Sequence, residues 1–203
     1  MVQDKVIARG AEAVIILKNK SVIKDRIEKS YRHPIIDEKV RKLRTRTEAR
    51  LIEKANAIIN SPKVIKVDEI KKTIELEFIN GKKLADTLDR QKDYKLICKQ
   101  IGKSLAKLHD NNIIHGDLTT SNLILKEKKV YFIDFGLGFQ SSKVEDKAVD
   151  LHLIKIALEA RHPRIYEEAF KSILQGYKSS INYSKTIKQL EAVEKRGRYK
   201  AQY

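Results

Sequence analysis

Three short stretches hold residue types that could manage a phosphate group. His115-Gly116-Asp117-Leu118 carries a carboxylate at Asp117, Asn122 follows it, and Ile133-Asp134-Phe135-Gly136 carries a second carboxylate at Asp134. Phosphoryl transfer needs little covalent help from a protein but close control of charge. One carboxylate must meet the hydroxyl or water that attacks. A second carboxylate and an amide oxygen must hold Mg2+ against a triphosphate. Asp117 fits the first role, and Asp134 with Asn122 fits the second. A hairpin over Asn122–Ile133 would fold Asp134 back beside Asn122.

The order and spacing of these residues resemble the catalytic loop and the Asp-Phe-Gly magnesium loop of protein kinases. Such a site needs a cation on the α- and β-phosphates, and Lys24 closes the β-type run Ser21-Val22-Ile23-Lys24 at the place for it. In a lysine-rich chain a lone strand lysine is commonly solvated. Here Glu48 falls on the next helical pattern, sharing a face with Leu51, Ile52 and Ala55, so it would turn toward a sheet and pair with Lys24. Gly10-Ala11-Glu12-Ala13 stands where a phosphate-covering flap belongs, with one glycine of the usual three. Glu12 would repel a phosphate and is expected to hold a basic side chain instead. Leu76-Glu77-Phe78-Ile79 is the expected hinge, with backbone groups of Glu77 and Ile79 reading adenine. His33, His115 and Cys98 read as structural residues.

The elements that must position these residues follow from periodicity. β-Type runs cover Val6–Ala8, Ala13–Leu17 and Ser21–Lys24, with Asn19-Lys20 as a turn. Apolar residues at helical spacing, including Val40, Leu43, Leu51, Ile52 and Ala55, predict a helix from about Asp37 to Ile59. Asn60-Ser61-Pro62 stops it. Val64–Glu69 and Thr73–Ile79 read as a strand pair. A second helix is expected near Asp93–His109, with Leu96, Ile97, Ile101, Leu105 and Leu108 on one face. Short strands follow at Asn122–Leu125 and Val130–Ile133, and helices from about Asp146, with Leu151, Ile154, Ile156 and Leu158 as core. Strands with one helix, then mostly helices, is an α+β, two-lobed plan. The lobes would be 1–79 and 80–203, within one kinase-like domain.

At 203 residues the chain suits one domain of two small lobes, and its net charge of +16 predicts a polyanionic partner. With a single cysteine it has no disulfide framework. No run approaches the roughly 20 apolar residues that cross a bilayer, so a cytoplasmic protein with no membrane partner is expected. Gly116 stands where kinases switched by loop phosphorylation carry Arg, and no Ala-Pro-Glu follows Gly136. Control by activation-loop phosphorylation is therefore not expected.

Over nearly its whole length the chain resembles the small atypical kinase subunit of the KEOPS/EKC complex, the p53-related protein kinase group. The most specific stretch runs Lys29-Ser30-Tyr31-Arg32-His33-Pro34, Asp37-Glu38-Lys39-Val40-Arg41 and Arg44-Thr45-Arg46-Thr47-Glu48-Ala49-Arg50. The flap, the His115–Asn122 loop with Thr119-Thr120-Ser121, and Arg196-Gly197-Arg198 also look like this group; Tyr199–Tyr203 is less basic than usual for it.

The resemblance implies a minimal kinase-like fold that uses ATP and Mg2+. The activity implied is an ATPase or a weak Ser/Thr kinase serving threonylcarbamoyl-adenosine formation on tRNA. It also implies docking on the threonylcarbamoyl-transferase subunit through the large lobe and on a small KEOPS subunit through the small lobe, and the bare length looks archaeal. For tRNA, the candidate contacts are a mobile basic tail with Arg196, Arg198 and Lys200, or the helix face at Arg41–Arg50. Two other readings stay open. A RIO-type or small-molecule phosphotransferase can carry a His-Gly-Asp loop, though Asp134-Phe135-Gly136 speaks against it. A nucleotide-sensing tRNA-binding scaffold would not need the full set Lys24, Glu48, Asp117, Asn122 and Asp134.

Overall fold

Runs of β-branched residues with tight turns between them build the first half of the chain. In the computed structural model, which describes residues 4–200 with side chains to 196, strands β1 (Lys5–Arg9), β2 (Ala13–Lys18) and β3 (Ser21–Arg26) form an antiparallel meander. The β2–β3 turn is the predicted one, with Asn19 in the left-handed region at φ 54°, a conformation Asn tolerates. Strands β4 (Val64–Asp68) and β5 (Thr73–Glu77) complete a five-stranded sheet of order β1-β2-β3-β5-β4. β5 lies beside β3 and pairs Lys24 with Ile74. It ends at Glu77, two residues before the predicted end, which releases Phe78 and Ile79 as a connector.

Helix α1 (Pro34–Asn56) packs on this sheet. It begins three residues earlier than the periodicity predicts, because Pro34 supplies a preset φ at the first helical position. Its inner side buries Thr45, Glu48, Ala49, Leu51, Ile52 and Ala55. Leu43, placed on the apolar stripe by spacing alone, is instead exposed: it is on the side of the helix away from the sheet.

The second half opens with β6 (Lys82–Lys83), α2 (Leu84–Thr87) and a short 3-10 turn at Leu88–Arg90. α3 (Tyr94–Asp110) follows close to its predicted bounds and buries Ile97, Cys98, Ile101, Leu105 and Leu108. Leu96, expected on that face, is exposed. Burial raises the Cys98 thiol to about 12, so it is an apolar filler.

β7 (Ile113–Ile114) pairs with β10 (Phe139–Gln140), and β8 (Leu123–Lys126) forms the expected hairpin with β9 (Lys129–Phe132). Asn122 falls in a 3-10 turn, Thr120–Asn122, not in the strand. The two-residue β6, β7 and β10 are too short for a sequence period to reveal.

Helices α4 (Val144–Arg161), α5 (Tyr166–Tyr177) and α6 (Tyr183–Lys200) close the fold, α5 against α3 and α6 against α4. Ile156, predicted as core, is partly exposed. Arg196 sits within α6 rather than on a loose tail. It reaches Glu145 of α4 at 2.6 Å. The side chains of Arg198 and Lys200 lie outside the described residues. Among the described residues no helix is long and apolar enough to cross a membrane.

Candidate functional site

Lys24 joins three separate parts of the chain. It stands on β3 between β2 and β5, and its stem is buried against the core. Its Nζ donates to Glu48 Oε1 of α1 at 2.7 Å and to Asp134 Oδ1 at 2.6 Å. Burial alone would lower the Lys24 pKa, but the charges of Glu48 and Asp134 and their hydrogen bonds outweigh it and hold the ammonium above its ordinary value. Burial would likewise raise Asp134, and the Lys24 charge and hydrogen bond bring it below the ordinary carboxylate value.

Asp134 adopts φ 63° and accepts the Gly136 N–H at 3.2 Å. A Cβ on residue 136 would come within 2.9 Å of Asp134 Oδ1 and 3.2 Å of Lys24 Nζ. Glycine is therefore what keeps the space beside this ion pair open.

The catalytic-loop residues are placed by backbone pairing and by one buried carboxylate. β7 leads into His115, whose Nε2–H donates to the Ile133 carbonyl at 3.1 Å while Nδ1 accepts the Asp117 N–H at 3.3 Å. The two contacts define the tautomer with the proton on Nε2. The ring also packs 4.7 Å from that of Phe135. His115 is thus a structural bridge between the loop and the Asp134 segment.

Asn122 Nδ2 donates to Asp117 Oδ2 at 3.0 Å and to the Asp117 carbonyl at 2.8 Å. That leaves Asn122 Oδ1 as an acceptor. The Ile133 N–H donates to the Asn122 carbonyl at 3.0 Å, so the hairpin brings the Asn122 and Asp134 backbones together. One carboxylate and one amide oxygen are hard donors that suit Mg2+. That ion commonly takes its remaining ligands from phosphate and water.

Above the cleft, Glu12 of the flap accepts from Arg44 Nη1 at 2.6 Å and lies 3.5 Å from Arg32. Burial opposes ionisation of Glu12, and the hydrogen bond and charge of Arg44, with the charges of Arg32 and Lys29, together outweigh it and lower its pKa. Its charge is thus spent on α1 and the loop before it, not on the space below. Lys29 donates to the Ala11 carbonyl and ties the flap down a second time, while the Gly10 N–H donates to the Ala13 carbonyl at 2.9 Å and closes the turn. At the connector, the Glu77 and Phe78 N–H groups are taken by the Lys63 and Lys20 carbonyls. The Ile79 N–H has no partner among the described residues.

Sequence reading missed two anchors. Asp150 of α4 is fully buried and accepts from the His115 N–H at 2.7 Å, the Gly116 N–H at 2.9 Å and His109 at 3.3 Å. It fixes the backbone immediately before Asp117. His162, also buried, links Asp89 at 2.9 Å to Thr120 Oγ1 at 3.3 Å and so steadies the turn that carries Asn122. Neither has a local motif. For Asp150 the available signal was a polar residue inside an apolar helical run, whereas His162 lies just past the end of α4, beside Pro163.

Comparisons with known proteins show the family to which the chain belongs. A protein kinase domain model matches residues 8–153. The chain is 40% identical to the KEOPS complex subunit Bud32 of Pyrococcus abyssi, over 97% of this chain and 96% of that protein. It is 38% identical to the EKC/KEOPS complex subunit bud32 of Dictyostelium discoideum, over 96% of this chain and 82% of that one. A probable bifunctional tRNA threonylcarbamoyladenosine biosynthesis protein of Methanobrevibacter smithii is 42% identical over 97% of this chain, which spans 37% of that longer protein. Among solved structures, the Rio2 kinase of Chaetomium thermophilum, in a complex with ADP/Mg2+ and phosphoaspartate, superposes with a TM-score of 0.62 over 98% of this chain and 71% of its own. At 16% identity that likeness speaks for the fold alone.

Proposed function

The chain belongs to the Bud32 family of protein-kinase-fold proteins, and from that premise we propose that it binds Mg·ATP between its two lobes and transfers or hydrolyses the γ-phosphate. The carrying observation is the single ammonium of Lys24, 2.7 Å from Glu48 and 2.6 Å from Asp134. It links β3, α1 and the Asp-Phe-Gly segment, which supports a site of the phosphoryl-transfer type.

In this reading Lys24 contacts the α- and β-phosphates and Glu48 orients it. Asp134 and Asn122 hold Mg2+, which when bound neutralises charge on the β- and γ-phosphates. Asp117 accepts the proton of the attacking group, its carboxylate aimed by Asn122 Nδ2 at 3.0 Å. Glu77 and Ile79 read adenine through backbone groups, and Gly10-Ala11-Glu12-Ala13 covers the phosphates. The acceptor is water or a serine or threonine hydroxyl.

The relatives' names extend the reading. We assign the activity to a KEOPS complex that makes threonylcarbamoyladenosine on tRNA. The threonylcarbamoyl-transferase subunit would sit on the helical lobe and a small subunit on the strand-rich lobe. The bifunctional relative, of which this chain spans 37%, supports a kinase-type unit working beside a second catalytic unit. The net charge of +16 suits an assembly that handles tRNA. ATP turnover measured for the chain alone, with the transferase subunit, and with tRNA tests the proposal. Turnover that rises on assembly supports it, and nucleotide binding with no turnover in any mixture would leave only a sensing scaffold.

A further inference from the structure

Glu48 is shared by two cations. Its Oε1 accepts from Lys24 Nζ at 2.7 Å and its Oε2 from Arg26 Nη2 at 2.5 Å. Lys24, Glu48 and Arg26 have side-chain exposures of 8%, 1% and 3%. Lys24 and Arg26 are alternate residues of β3, so the pleat turns both toward α1.

Lys24 is already shared between Glu48 at 2.7 Å and Asp134 at 2.6 Å, so it does not by itself balance both carboxylates. A second fully desolvated cation is costly unless something requires it. Arg26 is not seated for its own comfort either, since its Nε has no hydrogen-bond partner among the described residues. The same strand end is gripped a second time by α1. Arg41 of α1 donates to the Arg26 carbonyl at 3.5 Å, and Arg41 is itself held by the buried Asp37 at 2.6 Å. Strand and helix therefore clasp each other, side chain to side chain at Glu48 and side chain to backbone at Arg26.

We infer that Arg26 is a positioning residue that fixes Glu48, and with it α1, independently of Lys24 and of nucleotide. One consequence is mechanical. Where a lysine is the sole partner of the helix glutamate, losing the lysine frees the helix; here α1 stays docked. The other is electrostatic and rests on the Mg·ATP reading above. Two cations on one carboxylate leave the trio with one net positive charge, so Glu48 does not neutralise Lys24, and the ammonium keeps its charge for Asp134 and the phosphates.

The test compares wild type with Lys24→Met, Arg26→Met and Arg26→Lys. It uses amide hydrogen exchange on nucleotide-free protein together with the KM and kcat for ATP. Lys24→Met should leave exchange over residues 45–52 within about threefold of wild type. Arg26→Met should speed it about tenfold or more, the scale of losing a hydrogen bond to a charged group, with α5 amides unchanged. In turnover Arg26→Met should raise the KM for ATP about tenfold with a smaller effect on kcat, and Arg26→Lys should restore most of it.

The inference falls if Lys24→Met opens α1 as much as Arg26→Met does, or if Arg26→Met speeds α1 and α5 equally, which is generic destabilisation. If Arg26→Met does not fold, the Lys24→Met and Arg26→Lys arms still decide. Wild type without ATP turnover, alone and with the transferase subunit and tRNA, would sink the turnover reading, while the exchange comparison would still judge the clasp.

Discussion

The Leu137 carbonyl oxygen stands 2.3 Å from the point a Cβ on Gly116 would occupy, and Gly116 itself adopts φ 76°. The segment after Asp-Phe-Gly is thus laid directly on the backbone of the catalytic loop. The position where phosphorylation-switched kinases place a phosphate-reading arginine has no room for any side chain. Gly116→Ala should destabilise the protein by at least about 1 kcal/mol, from the positive φ and the contact together, and should lower turnover. Thermal unfolding and ATP hydrolysis check this. An alanine variant as stable and as active as wild type would contradict the packing argument. A requirement for phosphorylation between Gly136 and Asp150 would contradict its regulatory consequence.

Asp117 is held by Asn122 Nδ2 and is remote from the Lys24 cluster in its bonding. Asp117→Asn keeps an acceptor oxygen for that contact but loses the base. Nucleotide affinity should stay within about threefold, and the rate should drop by about 100-fold or more, the range of general-base contributions. Calorimetric binding set beside turnover distinguishes the roles; equal loss in both would assign Asp117 to binding.

The Lys24–Asp134 link predicts a pH window. Asp134 is lowered from 3.8 in the folded protein, so its contribution is present above that ordinary value and is lost as pH falls through the lower folded one. Lys24 is raised from 10.5, so its contribution is complete below that value and is lost only as pH rises past the higher folded one. The stability difference between wild type and Asp134→Asn should therefore be flat from about pH 5 to pH 9, and should shrink below about pH 4. Urea unfolding across that range measures it, and a slope near neutrality would mean another group controls the link.

Arg196 pairs with Glu145 across exposed surface at 2.6 Å. Arg196→Ala should change stability by less than about 1 kcal/mol. If the end of α6 meets tRNA phosphates, it should also make the log–log salt dependence of tRNA binding shallower by somewhat under one unit. An unchanged slope would turn attention to α1. There, however, Arg41, Arg44 and Arg46 already hold Asp37, Glu12 and Glu69, which leaves Arg50 the better candidate.

The candidate site was legible in the sequence because Asp117, Asn122 and Asp134 sit in two contiguous motifs, and because Lys24 and Glu48 each lie on an element with a clear period. What escaped depends on distance along the chain. Asp150 and His162 reach the catalytic loop from α4 and its end, and no local spacing announces a contact between elements. Arg26 had a signal: as the alternate residue after Lys24 it had to face the same helix, but a charged strand end reads as solvated until a buried carboxylate is found opposite. Leu43, Leu96 and Ile156 fit helical spacing yet are exposed, because spacing assigns a face and not what covers it. The basic end of the chain read as a loose tail because its composition is polar, whereas α6, which packs on α4, runs from Tyr183 to Lys200.

The central claim is that Lys24, Glu48 and Asp134 form the heart of an Mg·ATP site. Its most direct test is steady-state ATP turnover of wild type and Asp134→Ala, both shown folded by circular dichroism, with Mg2+, the transferase subunit and tRNA present. The variant should lose at least ~100-fold in rate, the scale of removing one preorganised electrostatic element. Near-normal turnover in a folded Asp134→Ala protein would contradict the account.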